Sequence, residues 1–360
     1  MNPGYSGFLD LLRILAAATV FVSHAALYRT GPNLTLQSWA HDGVVAFFVL
    51  SGYLISWSAA ERERTLSRYA LARAARIYSV ALPALAITLA LDYAGQLMQP
   101  ELYAHYLYER PFLYFPFFAL FASDLWFLAE TAFSNVPFWS LCYEVWYYVL
   151  FGVLAFRAGS ARLALAALVL LIMGPKLWLL LPLWALGSWI YRLHRGRRLG
   201  EQQARLLFAI GVAAFAALKF WRLDDALDAA LDAAVGGFAA RNLRYSQWFL
   251  GDYLVGGAIG LAIFAARDAN FGWLGGPPKR LLARAASYTF TLYLLHYPLL
   301  LFFSVAFGQE RGSASGVALL IVATLAAVAA IAPLTEHRKD AFRRAILAVT
   351  APPRRAAPGD

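Results

Sequence analysis

Apolar stretches near the length of a bilayer crossing follow one another from end to end of this 360-residue chain. Hydrocarbon offers no hydrogen-bond partners, so each stretch must satisfy its own backbone groups, which favours helices. Ten stretches fit, at about residues 8–28, 41–58, 77–95, 138–156, 163–175, 176–193, 204–220, 248–266, 287–307 and 316–334. The chain therefore reads as an all-α, polytopic membrane helix bundle of about ten transmembrane helices. Composition agrees: 61% hydrophobic and 14% charged, against roughly 45–50% and about 25% in soluble domains.

Charge sets the expected topology. The formal net charge is +10, carried mostly by arginine. In a soluble chain that excess would raise nucleic-acid binding. Here the arginines fall between apolar stretches, so retention of basic loops in the cytoplasm explains them and no nucleic-acid partner is expected. Arg62, Arg64, Arg68, Arg73 and Arg76 form one basic loop. Others centre on Arg157 and Arg162, on residues 192–198 and on residues 267–284. Placing all of them inside puts both termini in the cytoplasm.

The reading gives one membrane domain, residues 1–337, followed by a basic and disordered cytoplasmic tail, residues 338–360. The fifth and sixth stretches are short and suggest a hairpin turning at Gly174-Pro175. Residues 111–128 contain Pro116 and Asp124 and break the alternation of charge, so they are placed as a re-entrant or interfacial piece. Asp224, Asp225, Asp228 and Asp232 read as a solvated helix face. Residues 8–27 lack a basic leader and contain Arg13, unlike a cleaved signal peptide. Cys142 is the only cysteine, so no intrachain disulfide is possible.

Two ionisable residues interrupt the first stretch, and intramembrane charge is by default a functional signal. Arg13 and His24 are eleven positions apart, about three helical turns, so they share a face roughly 16 Å apart along the axis. A fixed cation and a titratable ring on one stripe suit a long ligand with a charged head and a reactive tip, threaded along a continuous passage. Asp10, three positions before Arg13, also permits a plain intrahelical ion pair.

In the fourth stretch, Glu144 falls at a depth similar to that of His24. The pair fits a base and its orienting group, or Glu144 simply bonds Ser140 and Tyr148 one turn either way. His41 and Asp42 open the second stretch, where they either contact a substrate or cap a helix. His296 precedes Pro298 and either relieves the backbone groups that proline frees or lines a substrate path. Ser51 lies beside Gly52, a pairing that fits close helix packing better than a nucleophile. The six histidines show no metal-ligand spacing, and no metal site is expected.

Five stretches, in order, resemble the acyltransferase-3 family of integral-membrane enzymes that modify bacterial surface polysaccharides. They are LDLLRILAAATVFVSHA with Arg13 and His24, FFVLSGYLI from Phe47, RAARIYSVALP from Arg73, WSLCYEVWYY from Trp139, and SYTFTLYLLHYPL from Ser287. One departure is Cys142-Tyr143 before Glu144, where many members carry a second small or acidic residue.

The resemblance implies a single-domain, multi-pass O-acyltransferase of the bacterial cytoplasmic membrane. It would move an acyl group, most often acetyl, from cytoplasmic acyl-CoA to a hydroxyl of an exported or surface carbohydrate, working among membrane lipids. Arg13, Arg73 and Arg76 would hold the donor's phosphates, for which guanidinium forks are suited. His24 would deprotonate the acceptor or take the acyl group first. Glu144 would act with it, with His41, Asp42, Ser140, Tyr148 and His296 on the acceptor side. The alternative is a transporter or flippase for a lipid-linked glycan, although no internal repeat is visible.

Overall fold

The computed structural model describes residues 2–31, 33–308 and 313–350. Sixteen α-helices form it in chain order: α1 Pro3–Thr30, α2 Leu34–Glu61, α3 Leu66–Met98, α4 Pro100–Tyr103, α5 Pro111–Ala119, α6 Phe138–Phe156, α7 Gly159–Met173, α8 Pro175–Gly196, α9 Glu201–Trp221, α10 Leu223–Ala234, α11 Phe238–Asn242, α12 Phe249–Ala266, α13 Pro278–Ala286, α14 Thr289–Ala306, α15 Ala314–Ile331 and α16 Lys339–Thr350. Among the described residues there is no strand, only an isolated bridge between Ala132 and Asn135. The architecture is an all-α polytopic bundle.

The long helices begin where the sequence supplies caps. The side chains of Asn2, Asn33, Thr65 and Ser313 accept from the backbone N–H of Gly4, Leu36, Arg68 and Gly316, satisfying donors that a first turn leaves open.

Each of the ten expected stretches coincides with a helix. Among the described residues, eight helices are long and apolar enough to cross a membrane, or nine if α7 and α8 count as one broken span. Those two meet at 119°. The break falls at Gly174-Pro175: Gly174 has φ +76°, a conformation that glycine tolerates, and Pro175 opens the next helix. Residues 111–128 do not span; α5 is nine residues long and a loop follows it.

The bundle is tightest between α2 and α8. A Cβ on Gly52 would collide with the Trp184 carbonyl, and one on Gly187 with the Val49 carbonyl. Small residues here bring the two backbones together, as in membrane helix pairs generally. α1 packs on α2 and α14, α3 on α14, and α9 on α12.

Two expectations fail at the periphery. Residues 339–350, placed in a disordered tail, form α16, which packs against α3. Residues 351–360 lie outside the described residues. Asp224 and Asp228, placed on a solvated face, are buried.

Candidate active site

Three of the cavities among the described residues hold the ionisable groups singled out above. The first, about 470 Å³, is lined by Arg13 of α1, Ser51 of α2 and Arg62 just after it, Arg73 and Arg76 of α3, Glu144 and Tyr148 of α6, and Lys339 and Arg343 of α16. The three arginines expected to bind phosphate therefore share one chamber, joined by three cations that sequence reasoning did not assign: Arg62, Lys339 and Arg343. Opposing them on the wall are Glu63, Glu144 and Asp340. Two of these acids already have partners. Glu63 pairs with Arg73 at 2.6 Å. Glu144 accepts from Ser51 Oγ at 2.6 Å and from the Tyr148 hydroxyl. Arg13 lies 3.6 Å from Asp10, the intrahelical pair that the spacing allowed.

The second cavity, about 230 Å³, is lined by His24, His41, Trp139, Tyr245, Trp248 and Tyr297, among others. One helix thus serves both chambers, with Arg13 on the wall of the first and His24 on that of the second. The continuous passage expected along α1 is not present as such. The two chambers abut, sharing the side chains of Val44 and Tyr293.

The partner of His24 is His296. Its Nε2 lies 3.0 Å from His24 Nδ1, while its own Nδ1 faces the carbonyls of Tyr293 at 2.7 Å and Leu292 at 3.1 Å. Carbonyl oxygens only accept, so His296 Nδ1 carries the proton. In the neutral ring Nε2 is then an acceptor, and His24 Nδ1 must donate to it. The network leaves the lone pair of His24 on Nε2, the form a proton acceptor needs. The relief of Pro298 is not the task of His296: the carbonyl left without a donor by that proline is Leu294's, four residues back, and the ring bonds two others.

The expected pairing of Glu144 with His24 is overturned. Equal depth fixes one coordinate, whereas packing turns Glu144 toward Ser51 in the first chamber. Tyr148 does bond Glu144, while Ser140 instead meets the Tyr293 hydroxyl at 2.6 Å. Ser51 is engaged by Glu144, by Tyr148 at 3.2 Å and by Trp184 Nε1 at 3.2 Å.

The third cavity, about 330 Å³, adjoins the second through Gln37, His41 and Trp248. His41 does not cap a helix; Asn33 does that, two turns earlier. His41 Nε2 lies 3.0 Å from Asp252, and its ring stacks on Trp139 at 5.8 Å. Asp42 pairs with Lys219 at 2.8 Å, and Lys219 also holds Asp224. Asp228 accepts from the Gly251 N–H at 3.0 Å. Burial, together with the neighbouring Asp252, pushes Asp228 up to about 7, against the pull of that hydrogen bond and of His41. Lys219 and Asp252 carried a legible signal, each being an ionisable residue inside an apolar run.

Among the described residues, no group of three or more histidine, cysteine or acidic side chains is placed to hold a metal ion. A family model, described as an acyltransferase domain, matches residues 6–334. No curated protein matches the chain, and no solved structure does.

Proposed function

The chain belongs to the acyltransferase-3 family, and from that premise we propose that it carries an acyl group, most often acetyl, from acyl-CoA to a carbohydrate hydroxyl across a bacterial cytoplasmic membrane. That it is an integral, multi-pass membrane acyltransferase follows from the family and from the eight or nine candidate membrane spans among the described residues. The direction, the donor and the acceptor are our reading.

One observation carries it. α1 places Arg13 in a chamber with five other cations and His24 in the adjoining chamber with its lone pair on Nε2. The first chamber suits the phosphates of coenzyme A, which guanidinium groups bind as bidentate forks. It lies at the end of the bundle that carries the arginines of residues 62–76, assigned above to the cytoplasm. The second suits an acceptor hydroxyl, a poor nucleophile until a base takes its proton. In this scheme His24 Nε2 accepts that proton, His296 fixes the ring, and the acceptor oxygen attacks the thioester carbonyl. Glu144 stays with Ser51 and Tyr148 beside the donor rather than acting on the base. His41, with Asp252, and Asp42, with Lys219, line the acceptor side.

Purified protein supplied with labelled acetyl-CoA tests the scheme. His24→Ala is expected to lose thiol release or self-acylation by a factor on the order of 10²–10⁴, the usual contribution of a positioned base, while keeping its thermal unfolding. Undiminished turnover in that variant removes His24 from the chemistry. Absence of any turnover in the unmodified protein favours the transporter reading.

A further inference from the structure

Of the two residues shared by the arginine and histidine cavities, Val44 and Tyr293, only Tyr293 carries a polar group. Its side chain is buried between them. The hydroxyl lies 2.6 Å from Ser140 Oγ and 3.3 Å from the Pro137 carbonyl. Ser140 Oγ is also 3.3 Å from that carbonyl. Two hydroxyls carry two protons. One closes the bond between them, and the other is left with a distant carbonyl. With Ser140 as the donor between them the free proton is the phenol's, and its 3.3 Å contact with the carbonyl is weak, so it can turn to a better acceptor. The same turn of α14 bears His296, whose Nδ1 donates to the carbonyl of Tyr293 itself. The phenol and the ring that orients His24 are therefore fixed to one another at i and i+3.

Building on the acyl-transfer reading, we propose that Tyr293 is a further catalytic residue: its hydroxyl marks where the thioester carbonyl stops at the partition and donates the hydrogen bond that takes up charge as that carbon becomes tetrahedral. The acceptor's O–H proton passes to His24 Nε2, and its oxygen forms the new C–O bond. The carbonyl π pair moves onto the oxygen held by Tyr293. Return of that pair breaks the C–S bond, and the departing thiolate takes the proton from His24. Tyr293 keeps its own proton throughout, and Ser140 positions it.

Tyr293→Phe removes the hydroxyl and keeps the ring, including its edge contact with Phe47 at 5.5 Å. With the full-length protein and acetyl-CoA as probe, thiol release is expected to fall about 10²–10³-fold, the usual effect of deleting one oxyanion donor. The dissociation constant for coenzyme A should stay within about twofold, because the bond forms only in the transition state. Ser140→Ala, which loosens the phenol without removing it, should lose less. A Tyr293→Phe variant with unchanged turnover overturns the proposal. So does one whose lost turnover is matched by weaker coenzyme A binding or lower thermal stability, since that marks a wall and not a donor. Unmodified protein that neither binds coenzyme A nor releases thiol overturns the acyl-transfer reading first, and this proposal with it.

Discussion

A neutral imidazole is a base at only one nitrogen, and in His24 the partner decides which. The Tyr293 carbonyl accepts from His296 and so holds its proton on Nδ1, and the free Nε2 of His296 in turn draws the His24 proton to Nδ1. Loss of His296 removes that acceptor and leaves the Val20 carbonyl to bias the His24 tautomer. His296→Ala should slow turnover about tenfold, what a contribution of about 1.4 kcal/mol is worth. Donor affinity should stay unchanged. His296→Gln, whose amide oxygen can accept from His24, should recover much of the rate, as steady-state assay of the two variants will show. At this scale the sequence was legible where a residue broke an apolar run, as Arg13 and His24 do. It was not legible where the partner lies far along the chain: His24 and His296 are 272 positions apart. Glu144 shows the same limit, since depth follows from counting along a helix while azimuth follows from neighbours that counting does not identify.

Helix contacts carry the next layer. The α2–α8 seam holds Ser51 beside Gly52, and Trp184 reaches Ser51 from α8. Gly52→Ala would drive a Cβ into the Trp184 carbonyl. It should cost roughly 1–3 kcal/mol, as overpacking does, readable as a lower thermal midpoint. The loop after α5 is anchored by Asp124, which sits 3.6 Å from Lys176 and 3.2 Å from Arg244, with Asp124 and Lys176 fully buried. Asp124→Ala should destabilise by about 3–5 kcal/mol because it strands a buried charge. Retention of the native midpoint in a thermal scan would remove that anchor from the account. The α7–α8 bend was legible because glycine and proline state their backbone needs locally. The burial of Asp224 and Asp228 on α10 was not. Asp224, Asp228 and Asp232 recur at every fourth position, a pattern common to a wet face and to one turned onto Lys219 and Gly251.

Across the whole molecule, hydropathy located every long helix, because bilayer thickness is a local constraint on segment length. It read the bent α7–α8 pair as two stretches, and it missed α16, whose cations complete the arginine chamber. The adjoining aspartate cavity makes stability depend on pH. Folding raises Asp228 from an unfolded value of about 4 to about 7, so the folded state holds this proton more tightly. The resulting stabilisation is present below about 4 and is lost as pH rises through about 7. Asp228→Asn should therefore raise the thermal midpoint at pH 8 relative to the unmodified protein and narrow that advantage on acidification, as paired melts will show. An advantage that grows toward acid would contradict the sign.

The central claim is that a thioester entering among the arginines reaches His24 past the Val44–Tyr293 partition. An acyl-CoA carrying a photoreactive group on its acyl chain, irradiated in membrane-embedded protein and mapped by peptide mass spectrometry, tests it most directly. The account predicts label in the second half of α1 and in α14, near His24 and Tyr293, competed away by acetyl-CoA. Competable label confined to the residues around Arg13, Arg73 and Arg343, with none beyond the partition, would contradict it.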